Sequence, residues 1–135
     1  MNEYKKSYGG LVLLFVIYIA ALTVAVFLPF NTKGMTLITM NISCIWFVLL
    51  TYVIYKTERI YWYTGVMYEE ARDVPSEKRK EYAKKHFERF AAYAVLYLVY
   101  SVVSGFMKLS VGMDVTFMCV GVIAVAISTI NIKLE

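Results

Sequence analysis

Apolar residues fall into four long blocks, divided by two short polar breaks and one long charged stretch. The blocks cover residues 10–30, 35–55, 90–107 and 115–132, and none contains a Lys, Arg, Asp, Glu or His. Each is close to the ~20 residues that an α-helix needs to cross a bilayer's hydrocarbon core. Strands of alternating polarity, which a membrane barrel requires, are absent. Helices satisfy their own backbone hydrogen bonds in lipid. The pattern therefore predicts an all-α integral membrane four-helix bundle: two tight hairpins joined by a charged cytoplasmic segment, residues 56–89, in a single four-span domain over residues 1–135.

The breaks carry turn chemistry. Pro29, Asn31 and Gly34 mark the first, and so short a link makes the first two helices antiparallel neighbours. In the second, between Lys108 and Asp114, Gly112 is expected to interrupt the helix and Asp114 to cap the fourth span. Residues 56–89 are more than a linker. Tyr61, Trp62 and Tyr63 follow the second span directly, as amphipathic rings of the headgroup zone do. Thr64-Gly65 reads as a turn and residues 66–72 as a short surface helix. Asp73-Val74-Pro75-Ser76 reads as a stop followed by a new N-cap. From Glu77 a helical pattern runs unbroken into the third span, with Glu81 and Lys85 as an i,i+4 pair.

Inside the helices, one stripe stands out. Tyr82, His86, Phe90, Tyr93, Tyr97, Tyr100 and Ser104 recur at spacings of three or four and share one face. Phenols in hydrocarbon need hydrogen-bond partners, so this face turns toward other helices or a wet cleft. An aromatic packing seam is the preferred reading, and a polar-lined path is the alternative. Asn41, the most polar residue of the second span, reads as interhelical glue. His86, the only histidine, lies beside Lys84, Lys85 and Arg89 and reads as interfacial. A metal site from Glu69, Glu70, Asp73 and His86 has no ligand-like spacing. Ala21 with Ala25, and Gly121 with Ala124 and Ser128, mark close helix approaches. Cys44 and Cys119 read as small apolar residues; a disulfide between them would need the second and fourth helices to meet at matching depth.

Composition and charge then fix the setting. The chain is 60% hydrophobic, Tyr included, with a net charge of +4; an ordinary globular domain is about 45–50% apolar, counted without Tyr. Twelve of the 14 Lys and Arg lie in the N-terminal tail, the 56–89 segment and the C-terminus, and only Lys33 and Lys108 lie in the hairpins. The positive-inside rule places both termini in the cytoplasm, with a bacterial cytoplasmic membrane as the expected host. The basic balance thus reports topology, not nucleic acid. Lys5 and Lys6 before the first block resemble a signal-peptide start, but the apolar run continues to Phe30, so an uncleaved first helix is expected.

No phosphate-cradling Gly loop, GxSxG, HExxH or CxxCH motif occurs. The sequence predicts no enzyme and no cofactor. The leading expectation is a small polytopic protein acting through protein–protein contacts, as an accessory, regulatory or immunity-type subunit. Tyr61, Trp62, Tyr63, Tyr68, Glu69 and Glu70 are its candidate partner surface. The alternative is an oligomeric channel or uncoupled transporter lined by Asn41 and the tyrosine stripe, which four helices can enclose only as a homo-oligomer. Membrane lipids are partners in either case.

Overall fold

The computed structural model describes residues 4–63 and 65–134. It contains α1 (Gly9–Val26), α2 (Thr32–Thr57), a 3-10 turn (Ile60–Trp62), α3 (Tyr68–Asp73), α4 (Ser76–Met107) and α5 (Val111–Ile130). No strand occurs among the described residues. Four of these helices are long and apolar enough to cross a membrane, and the chain is a multi-pass helical membrane protein. Both described termini, the 3-10 turn and α3 gather at one end, the tail end. The α1–α2 and α4–α5 hairpins close the opposite, hairpin end.

The helices begin where side chains cap them. Asn31 accepts the backbone N–H of Gly34 at 2.8 Å and starts α2, and Ser110 accepts that of Met113 at 3.3 Å and starts α5. Each satisfies an otherwise orphan first-turn donor. Asp114 is therefore not the cap of α5: Ser110 starts that helix a turn earlier. Gly112 lies inside α5 and does not break it. Likewise Ser76 is the first helical residue of α4, and Pro75 precedes it. α3 begins at Tyr68, two residues later than the sequence implied, and only Gly65 of the expected turn is described, at φ 95°; Thr64 lies outside the described residues.

α4 has 32 residues and is thus about 48 Å long at ~1.5 Å per residue. That exceeds the hydrocarbon thickness of about 30 Å, so its charged first turns stand clear of the core, as the unbroken pattern from Glu77 implies. α2 and α4 form the central pair, α5 leans on both, and α1 packs on the outer side of α2. Trp46 holds α1: its Nε1–H donates to the Leu14 carbonyl at 3.1 Å, and its ring lies against Phe15 and Tyr18. The Tyr18 and Ser43 hydroxyls bond at 2.8 Å beside it. Ala25 is buried and Ala21 half-buried, as close approach by small residues requires. Within the membrane the core is Cys44, Tyr93, Tyr97 and Met118. Cys44 Sγ lies 3.5 Å from Met118 Sδ, while Cys119, the next residue, faces outward; both thiols are free.

Candidate functional site

The hairpin end holds a buried ion pair. Lys33 is in the first turn of α2 and Asp114 in the first turn of α5. The caps at Asn31 and Ser110 start these helices a few residues before the uncharged blocks, so each carries one of the two charges in its first turn. Lys33 Nζ donates to Asp114 Oδ2, to Ser104 Oγ at 2.6 Å and to the Leu109 carbonyl at 2.8 Å. Asp114 is 0% exposed. Its other oxygen accepts from Ser104 Oγ at 2.5 Å and from the Tyr100 hydroxyl at 3.1 Å. All three ammonium protons and both carboxylate oxygens thus have partners, which is what makes a buried ion pair tolerable. The Leu109 carbonyl is presented by the end of α4. There Lys108 takes a left-handed φ of 52°, and the Leu109 N–H returns to the Ser104 carbonyl at 3.2 Å, a Schellman-type stop.

The tyrosine stripe of α4 faces inward along its length. His86, Tyr93, Tyr97 and Ser104 are buried, and Tyr82 and Tyr100 half-buried. Tyr100 stacks on Phe117 at 4.0 Å. The Tyr93 hydroxyl reaches the Phe117 and Met118 carbonyls at 3.2 and 3.1 Å. It does so by lying across Gly121, where a Cβ would come within 2.2 Å of the ring. Tyr97 is fully buried, and its hydroxyl has no hydrogen-bond partner among the described residues. Asn41 Nδ2 donates to the Leu37 carbonyl at 2.7 Å and to Ser101 Oγ at 2.8 Å, which ties α2 to α4. His86 Nδ1 lies 3.0 Å from the Tyr82 carbonyl, so that nitrogen carries a proton, and the ring stacks on Tyr63 at 4.4 Å.

At the tail end, aromatic residues grip the N-terminal tail. The buried Tyr61 hydroxyl accepts the Ser7 N–H at 2.9 Å and donates to the Ser7 carbonyl at 3.0 Å. Trp62 Nε1–H donates to the same carbonyl at 3.0 Å, and Tyr68 OH donates to the Tyr4 carbonyl. Tyr4 stacks on Tyr68 and meets Tyr61 edge-on. Gly10 lets the Trp62 ring come within 3.0 Å of its missing Cβ. Glu58 anchors the assembly. It ends α2 at φ 58°, a left-handed conformation that costs an L-residue about 1 kcal/mol. Its carboxylate accepts from Ser76 at 2.7 Å and from Arg79 at 2.9 and 3.1 Å, with Lys80 at 3.4 Å. Its carbonyl accepts from Tyr4 OH at 2.7 Å. Burial alone would raise the Glu58 carboxyl, but the bonds from Ser76, Arg79 and Lys80 outweigh it and hold it below the usual carboxylate range. Burial pushes the Tyr4 phenol up to about 12 and the Tyr63 phenol higher still.

Of the candidate partner surface, then, Tyr61, Trp62 and Tyr68 hold the tail, and Tyr63 packs on His86 and Tyr82. Glu69 and Glu70 face outward on α3, next to Met67, which is 72% exposed. Among the described residues, no three or more His, Cys, Asp or Glu side chains gather where they could hold a metal ion. The residues that sequence reasoning missed are Lys33, Asp114, Ser101, Glu58 and Arg79. One signal was present: Lys33 and Asp114 are opposite charges, one on each hairpin. Together the features define a four-span helical membrane protein with a charge-locked hairpin end and an ordered tail end. Neither a family model, nor a curated protein, nor a solved structure matches this chain.

Proposed function

We propose that this protein works through protein–protein contacts, as an accessory, regulatory or immunity-type subunit of a bacterial cytoplasmic membrane. The tail end lies in the cytoplasm, in keeping with its excess of Lys and Arg. The observation that carries the reading is the folded state of residues 56–63 and 65–80. A plain linker would not be clasped by Tyr61, Tyr68 and the Glu58–Arg79 pair. That clasp holds α3 in one pose and turns Met67, Glu69 and Glu70 outward. A rigid acidic patch with an exposed methionine suits a basic, partly apolar partner segment, because ordering costs have already been met.

His86, the only histidine, has its ring packed between Tyr63 and Tyr82. The path-forming alternative finds little support in the tyrosine stripe, which is spent on contacts with α2 and α5. A photo-reactive residue at position 67, introduced in the native membrane, tests the proposal. A single cross-linked partner is expected, lost in Glu69→Lys/Glu70→Lys. An unaltered cross-link pattern in that variant counts against the acidic patch. Ion or solute flux through liposomes that changes with Asn41→Ala would replace this reading by the oligomeric channel.

A further inference from the structure

A long groove runs between α4 and α5 on the face turned away from α2. It encloses about 990 Å³ and is lined by apolar and small residues, including Leu96, Val120, Gly121 and Ala124. Leu96 and Val120 are exposed on its walls. At the tail end the groove reaches Arg89, and Arg89 also lines a second, polar pocket of about 440 Å³. Lys78, Lys85, Arg89, Asn131 and Lys133 line that pocket, with Glu81 as the one carboxylate among its described lining residues. Glu81 is engaged by Lys85 at 2.7 Å. Arg89 gives one nitrogen to the Ser128 carbonyl, and its guanidinium has five N–H donors in all.

We infer that this composite site binds one anionic glycerophospholipid, with its phosphate among Lys78, Lys85 and Arg89 and an acyl chain in the α4–α5 groove. The charge argues for this occupant. A basic pocket that opens at headgroup depth into an apolar groove between two spans has the form of an anionic lipid site. A partner helix would fill the groove but bring no anion to Lys78 and Arg89. Lipid tails are as apolar as the groove walls, so the groove alone selects nothing. Preference among lipids comes from the mouth, at roughly fivefold in affinity for each basic residue near the surface. Glu81 offsets part of this, because it competes for Lys85. The groove supplies position: a chain lying against Leu96, Val120 and Ala124 sets the phosphate at the level of Arg89.

The test is native mass spectrometry of the full chain in mild detergent, titrated with dioleoylphosphatidylglycerol or dioleoylphosphatidylcholine. Saturable binding of one phosphatidylglycerol, at least tenfold tighter than phosphatidylcholine, is expected. Arg89→Gln and Lys85→Gln should each weaken it roughly fivefold. Ala124→Trp fills the groove with the mouth intact, and should also weaken phosphatidylglycerol. Val120→Trp, on the exposed wall, serves if Ala124→Trp loses its helical circular dichroism. Equal affinity for the two lipids overturns the proposal. So does full competition by soluble glycerol 3-phosphate, which would make the mouth a phosphate site without a lipid. A dimer cross-linked through Val120→Cys and insensitive to phosphatidylglycerol would give the groove to a second copy and overturn it as well.

Discussion

At the scale of single residues, two tyrosines a turn apart have opposite standing. Tyr93 has two carbonyl partners, while Tyr97 has a buried hydroxyl and no partner among the described residues. An unpaired buried polar group costs about 1–3 kcal/mol, and removing it takes that cost away. Tyr97→Phe is therefore expected to leave thermal stability in detergent unchanged or raised, and Tyr93→Phe to lower it. Gly121→Ala is expected to destabilise by about 1–3 kcal/mol, as overpacking of a rigid ring does, because the new methyl would occupy the place of the Tyr93 ring. Thermal unfolding followed by circular dichroism measures all three. The spacing of the stripe made its shared face legible in sequence. Which hydroxyl finds a partner was not legible, since it depends on a glycine 28 residues away in the chain and on the approach of α5.

At the scale of elements, the ion pair decides how the hairpins meet. Removing one partner of a buried pair leaves an uncompensated charge and costs about 3–5 kcal/mol, whereas replacing both with apolar residues is often near neutral. Lys33→Met and Asp114→Leu should each lower the unfolding midpoint strongly, and the double variant should recover much of the loss. If the two single effects simply add, the pair is not coupled. Residue pattern predicts the number, order and type of the long helices, the tight hairpins and the charged extension of α4. It predicts their ends less well. Uncharged blocks mark hydrocarbon, whereas helices start at caps, and Asn31 and Ser110 lie outside the blocks. That offset of a few residues brings Lys33 and Asp114 inside the bundle, although both lie outside the uncharged blocks.

At the scale of the whole molecule, the tail clasp meets the ends of α2 and α4 at one residue, Glu58, whose carbonyl holds Tyr4 and whose carboxylate holds Ser76 and Arg79. Glu58 titrates below its ordinary value of 4.5 when folded. Its contribution is thus fully present above that ordinary value and is lost as the pH falls through the lowered native one. Protection of the amides of residues 4–8, measured against their intrinsic exchange rates, should therefore fall in that acid window. In Glu58→Gln protection should already be low at neutral pH and show no such acid step. Wild-type protection that stays flat through that window would remove Glu58 as the anchor. The clasp is not visible in sequence, because aromatic rings next to a span equally suit a partner or the headgroups. Their partner is the chain's own tail, more than 50 residues earlier, a separation at which local pattern carries no information.

The pair between Lys33 and Asp114 also bears on how the protein is made. Synthesis delivers the first hairpin well before the carboxylate on the second, so a newly inserted α1–α2 unit holds an ammonium group with no counter-ion at the membrane edge. Such a unit is a half-product that waits for its complement. Two halves divided between α3 and α4 and produced as separate polypeptides would each carry one orphan charge, and joint production should rescue both from degradation.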